Sequence, residues 1–262
     1  MKKILSLISA AAVILCLSSC GSEEKKPEKE SSGGKVTQVI YGNDAPEEGD
    51  TSAEAIEFLK EYHPFFYENY FAIRSQAPLT FVSSVTEGEN DPVTTSIYVK
   101  DEDTMAIVGF DALGRSVRVL YDGKTGYQIY DDEKKIYSQE YGEEIVKSSV
   151  ESGLAKVKYS SVSESDYNSY AKEYNGKKYL CYSISSVSPF TGQTISTEYL
   201  FETETSKVKY VLSGTASSEV IELSNTISDE SVFEIPTGYT EGTIEELNNE
   251  IMEALGQNQT AQ

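Results

Sequence analysis

The chain has 262 residues, with 43 acidic against 22 basic side chains and a formal charge of −21. A field of that sign repels nucleic acid and anionic phospholipid headgroups alike, so nucleic acid is excluded as a partner. One histidine and three cysteines are too few to build a zinc centre or a Ser-His-Asp site with any redundancy.

The N-terminus has the layout of a secretory signal peptide over residues 1–19. Lys2 and Lys3 form the positive start, residues 4–17 are uncharged and too short to span a bilayer, and Ser18 and Ser19 are small. The run Leu17, Ser18, Ser19, Cys20 resembles a bacterial lipobox. That resemblance implies that the Cys20 thiol receives a diacylglycerol and becomes the first residue of the mature protein. The expected location is then extracytoplasmic, on the outer face of the cell membrane, with the membrane as a partner through the acyl chains. Each buried CH₂ contributes about 0.8 kcal/mol, so one chain holds only marginally and two hold in effect permanently. Cys16 leaves with the signal and Cys20 is consumed, which leaves Cys181 alone. No intramolecular disulfide is available to the mature chain, and its fold must rest on an apolar core.

Residues 20–50 comprise the lipidated cysteine and a tether rich in Glu, Lys, Ser, Gly and Pro. Its root-mean-square reach is roughly 30 Å, enough to hold a domain clear of the headgroups. The folded domain is expected over residues 51–256. It opens with a helix, for which Thr51 and Glu54 form a capping box. Ala55, Ile56 and Leu59 give it a partial apolar face, and Pro64 is its expected stop. A second short helix over 65–73 places Phe66, Tyr70 and Ile73 at helical spacing. His63, next to that proline, is expected to tip into solvent.

After Pro78 the hydrophobic period changes from helical to two. Strands are predicted at 79–86, 93–100, 104–110, 115–121, 127–130 and 135–139. Asp122-Gly123 and Asn175-Gly176 are hairpin signals, so neighbouring strands should pair antiparallel. A helix follows over 143–150 with Gly153 as its stop. Strands resume at 156–160, 170–174, 178–185, 194–203, 207–213 and 219–228. A last helix begins at Thr243, boxed with Glu246, and carries Ile244, Leu247, Ile251 and Leu255 on one face. It is expected to end at Gly256, with 257–262 a polar tail.

This order predicts an α+β fold: one strongly curved antiparallel sheet, an incomplete β-barrel of about 11–12 strands, with a few covering helices. The alternation of Ile195, Tyr199 and Phe201 implies a sheet wet on one side and covered by helices on the other.

Chemistry finds little footing in this composition, and no catalytic residue, metal ligand set or cofactor site is expected. The acidic runs Glu87, Glu89, Asp91 and Asp101, Glu102, Asp103 lack the closing bidentate Glu of a calcium loop and read as solvated turns. Cys181 sits in an alternating run and reads as a small buried strand residue. The distinctive feature is aromatic: 19 tyrosines and nine phenylalanines with no tryptophan. Tyrosine suits the mouth of a lipid cavity, and it is also simply a good strand former.

Asp122, Gly123 and Lys124, followed by Tyr127, Tyr130, Asp131 and Asp132, resemble the "DGK…Y-D" run of the LolA/LolB lipoprotein-carrier superfamily. Phe233, Ile235, Pro236, Gly238 and Tyr239 resemble its "F-x-I-P-x-G" close. The likeness covers residues 56–239. It implies a half-barrel wrapped around helices, with a concave apolar cavity that holds acyl chains. Members include periplasmic lipoprotein shuttles, lipid-binding mycobacterial lipoproteins and a periplasmic regulator of envelope stress. The soluble shuttle carries no lipid of its own, so the fold and cavity are carried over and the trafficking role is not. The expected ligand is a lipid or other hydrophobic molecule lined by Phe66, Tyr70, Ile97, Val99, Ile107, Tyr199 and Phe201. The alternative is an envelope sensor or interaction protein, with a cavity filled by its own side chains and a protein partner.

Overall fold

The computed structural model describes residues 45–154, 167–187 and 194–260. The signal peptide, Cys20, most of the tether and the strand expected at 156–160 lie outside the described residues.

Helix α1, Ala53–Phe66, is capped by Ser52, whose side chain accepts from the Ala55 N–H at 3.2 Å. The cap is thus one residue later than the box expected from Thr51. Pro64 does not stop the helix but lies inside it, and a π-helical turn follows at Tyr67–Phe71. A proline lacks the N–H of the regular ladder. The wider turn just after it places Tyr70 and Phe71 among the buried residues.

Among the described residues there are twelve strands, and all but the last fall where the turn signals allow. They are β1 Leu79–Glu87, β2 Val93–Val99, β3 Thr104–Phe110, β4 Ser116–Asp122, β5 Thr125–Tyr130, β6 Lys135–Glu140, β7 Tyr167–Tyr174, β8 Lys177–Val187, β9 Thr194–Glu202, β10 Val208–Ser213, β11 Ala216–Ser224 and β12 Thr240–Thr243. Asn175 and Gly176 both have positive φ, at 50° and 73°. That is the conformation a type I′ turn demands and the reason this dipeptide joins β7 to β8. Helix α2 spans Glu143–Gly153 and helix α3 spans Ile244–Thr260. The α3 backbone continues past Gly256, beyond the stop expected there.

Among the described residues the hydrogen-bonded strand order is β12-β6-β5-β4-β3-β2-β1-β11-β10-β9-β8-β7, with no bonding between the two end strands β12 and β7. Neighbours from β1 through β6 pair antiparallel, as do those from β7 through β10, whereas β12 pairs parallel to β6 from Thr240↔Lys135 to Thr243↔Ser138. β12 was not expected from the sequence.

The described residues form two compact units: 73–154 with 218–260, and 45–72 with 167–187 and 194–217. In the first unit both faces of the sheet are apolar. Val117 of β4, with Tyr130 and Tyr137, packs against Ile244 and Leu247 of α3. Leu120, on the opposite face of β4, packs with Tyr98, Ala106, Ile129 and Ile136 against Val232, beside Phe233 and Tyr239. Helix α2 lies over β2 and β3 on the α3 side. A Cβ on Gly153 would run into Met105 Sδ and stand 3.6 Å from Val99, so glycine permits this close approach. Arg74, 2 % exposed, donates to the Gly153 carbonyl at 3.1 Å and lies over the Phe81 ring.

The second unit has apolar residues on both faces as well. Leu180 and Tyr182 of β8 pair with Phe201 and Tyr199 of β9 on the α1 side. Cys181 and Leu200 point the other way, cluster with Tyr170 and Tyr179, and are fully buried. The expectation of a sheet wet on one side is therefore corrected. The alternation is real, but tyrosines and leucines occupy what a simple polar-out reading assigns to solvent.

Candidate functional site

The second unit brings together aromatic side chains that lie far apart in the chain. Phe66 of α1 stacks on Tyr182 with ring centroids 4.6 Å apart and lies 5.2 Å from Phe201. Tyr70 and Phe71 of the π-helical turn each lie 5.0 Å from Tyr199. Phe65 reaches Phe201 at 5.8 Å. The tilted and edge-on arrangements among these rings are those that aromatic quadrupoles favour.

His63 belongs to the same assembly, contrary to the expectation that it faces solvent. It is 8 % exposed, stacks on Tyr167 at 4.6 Å, and places Nδ1 2.9 Å from the Tyr182 hydroxyl. Because α1 runs on through Pro64, His63 falls one turn before Phe66 and Tyr67 on a helix that is still packed on the sheet. This residue was missed by sequence reasoning; its helical spacing to Phe66 and Tyr70 was the available signal.

Four of the expected lining residues, Phe66, Tyr70, Tyr199 and Phe201, thus meet in one place. Phe66 and Phe201 are completely buried and Tyr70 nearly so, while Tyr199 is half-buried. Ile97, Val99 and Ile107 lie in the first unit. Ile97 pairs with Ile107 across β2 and β3, and Ile97 and Val99 lie beneath Gly153 of α2.

On the opposite face of the second unit, Tyr170 donates to Glu198 Oε1 at 2.5 Å and Lys172 donates to the same oxygen at 2.8 Å. Burial pushes the Cys181 thiol up to about 12. At neutral pH it is protonated, and thiols do chemistry as thiolates. This is a structural cysteine, as expected.

The acidic hairpin tip at 101–103 is a turn. Asp101 accepts the Asp103 N–H at 3.3 Å, and Glu102 meets Lys147 at 3.4 Å. Among the described residues no group of three or more His, Cys, Asp or Glu side chains is placed to hold a metal ion. Among them, too, no helix is long and apolar enough to cross a membrane.

No protein-family model and no curated relative matches the chain. Among solved structures, it is similar to LprF from Mycobacterium bovis, with 13% identity and a TM-score of 0.43 over 73% of this chain and 100% of that one. It is also similar to a chain of the MucA/MucB complex of Pseudomonas aeruginosa, with 11% identity and a TM-score of 0.37 over 67% and 61% of the two chains. A LolA superfamily protein from Nitrosomonas europaea aligns with 7% identity and a TM-score of 0.28 over 69% and 97%.

Proposed function

We propose that this is an extracytoplasmic lipoprotein, held at the cell membrane by acyl chains on Cys20, that works by binding rather than by catalysis. Its ligand in this reading is an envelope protein partner. The observation that carries it is the aromatic assembly beneath α1. Phe66, Phe201 and Tyr182 are at most 1 % exposed and fill the space between helix and strands with their own rings. An acyl chain entering there has to displace packed side chains, and opening such contacts costs several kcal/mol per large residue, about 3–5 for one phenylalanine.

A second reading, a lipid or other hydrophobic ligand held under α1, draws on a different feature. Pro64 and the π-helical turn interrupt the regular ladder just where α1 crosses the aromatic residues, and π-turns often mark functional sites.

One experiment separates the two. The chain from Gly21 onward is purified, extracted with organic solvent and examined by mass spectrometry. A lipid-free extract, with crosslinking in intact cells that joins the anchored protein to an envelope protein, supports the partner reading. Near-stoichiometric lipid overturns it. The anchor is tested by metabolic labelling with a fatty acid: Cys20→Ala should lose the label and leave the membrane fraction, and retained label removes the assignment.

A further inference from the structure

In the first unit, residues 229–236 cross the face of β3, β4 and β5 and enclose, with those strands, a cleft of about 440 Å³. Its floor is a register row: Val108 of β3 pairs with Arg118 of β4, which pairs with Ile129 of β5. Val117, Val232 and Pro236 complete the apolar lining.

The polar lining is unbalanced. Arg118 is the one cation among the lining residues, against the carboxylates of Asp131, Asp229 and Glu234. Arg118 is also engaged internally: its Nη1 donates to the Val232 and Glu234 carbonyls at 3.0 and 2.7 Å, and its Nη2 to Asp131 Oδ1 at 3.3 Å. Its role is to clasp the 229–236 segment to the sheet, and the rim keeps an excess of negative charge.

Two large apolar side chains stand exposed beside this cleft. Phe110 is 57 % exposed and is the register partner of Ser116, a lining residue. Ile235 is 42 % exposed and sits between Glu234 and Pro236, which line it. Exposed apolar groups flanking a half-apolar cleft with an acid rim match a ligand that brings apolar and cationic groups together.

We propose that this cleft docks an extended segment of a partner protein in which lysine or arginine alternates with apolar residues. The cationic groups pair with Asp131, Asp229 and Glu234, and an apolar side chain enters over Val232 and Ile129 between Phe110 and Ile235. The inference rests on the partner reading of the previous subsection and names the surface that reading leaves unassigned. An anionic bilayer is excluded as the occupant by the sign of the rim.

The test is a fluorescence-anisotropy titration of the chain from Gly21 onward with a labelled peptide of alternating lysine and leucine. The comparison peptides alternate lysine with serine, and glutamate with leucine. Two variants probe the cleft: Phe110→Ser with Ile235→Ser, and Asp229→Asn with Glu234→Gln. All four positions are exposed; Asp229 also accepts the Ser231 N–H at 3.0 Å as the cap of the 230–233 turn, a bond that an asparagine side-chain oxygen keeps. Each pair should weaken the lysine–leucine peptide by roughly tenfold or more, the loss typical of contacts at the centre of a small interface. Glu204→Gln with Glu253→Gln removes the same charge at exposed positions outside the cleft and should change little.

Equal weakening by that distant pair, or equal binding of the lysine–serine peptide, reduces the effect to general acidity and overturns the site. So does a flat titration. The two failures stay distinguishable: the lipid extract reports on the partner reading, and the peptide titration reports on the cleft.

Discussion

The imidazole Nδ1 of His63, on helix α1, lies 2.9 Å from the hydroxyl of Tyr182, on strand β8, and the pair is buried. This contact ties helix α1 to a residue 119 positions later in the chain. Tyr182→Phe keeps the ring stacked on Phe66 and deletes only the hydroxyl. The expected loss is about 1 kcal/mol, the net value of one such hydrogen bond, read as a lower denaturant midpoint with an unchanged slope. An unaltered midpoint would show that the bond contributes nothing to holding α1.

Phe66→Ala tests the packing itself. Phe66 is fully buried between Tyr182 and Phe201, so its truncation should cost about 3–5 kcal/mol. Loss of the near-ultraviolet tyrosine signal should accompany it. A cost below 1 kcal/mol, by the same measure, would mean that the site collapses easily or is occupied by something other than the protein's own rings.

Acid should loosen the first unit through one charge network. Arg115 donates to Asp111 Oδ2 at 2.8 Å and to Glu250 of α3 at 2.6 Å, and the Tyr137 hydroxyl donates to Glu250 at 3.0 Å. Burial opposes the charge of Asp111, but the Arg115 backbone N–H and guanidinium and the Leu113 N–H together hold its carboxyl below the ordinary 3.8. The bond from Arg115, with a smaller contribution from Tyr137, holds Glu250 below the ordinary 4.5. Both folded-state values are depressed, so the stabilisation is present above the ordinary values and is lost as pH falls through the folded ones. The urea midpoint should be level above about pH 5 and fall below about pH 4. Glu250→Gln should flatten part of that fall; an unchanged profile would remove this network as its origin.

Cys181 gives a sharp readout of tertiary structure. Buried, and with its thiol raised to about 12, it should ignore a disulfide reagent in the native protein at about pH 8 and react once denatured. Fast reaction of the folded protein would contradict the burial described for β8.

The sequence spoke clearly wherever a local rule sufficed. Strand β3 spans the predicted residues, Thr104–Phe110. The capping box at α3 forms as spacing implies: the Thr243 N–H donates to Glu246 at 2.7 Å and the Glu246 N–H donates to Thr243 Oγ1 at 3.2 Å. Asn175-Gly176 turns as its residue types require. Strand β12 was illegible, because Thr-Glu-Gly-Thr has no apolar alternation and owes its conformation to pairing with β6. His63 was misjudged for a related reason: a proline reads as a stop, while burial of Phe65, Phe66, Tyr70 and Phe71 keeps the helix going past it. The acidic cleft was equally hidden. Phe233, Ile235 and Pro236 were noted as a terminal run, but nothing local says that Arg118, more than a hundred residues earlier, clasps that run to the sheet.

Read alone, the amino acids determined the period of each segment, the places where the chain reverses and the alternation that puts side chains on two faces, since these depend on neighbours within a few residues. Which of those faces would be covered, and by what, was decided only in three dimensions. Burial is a property of surfaces that meet, and here the surfaces that meet are contributed by segments the chain keeps far apart.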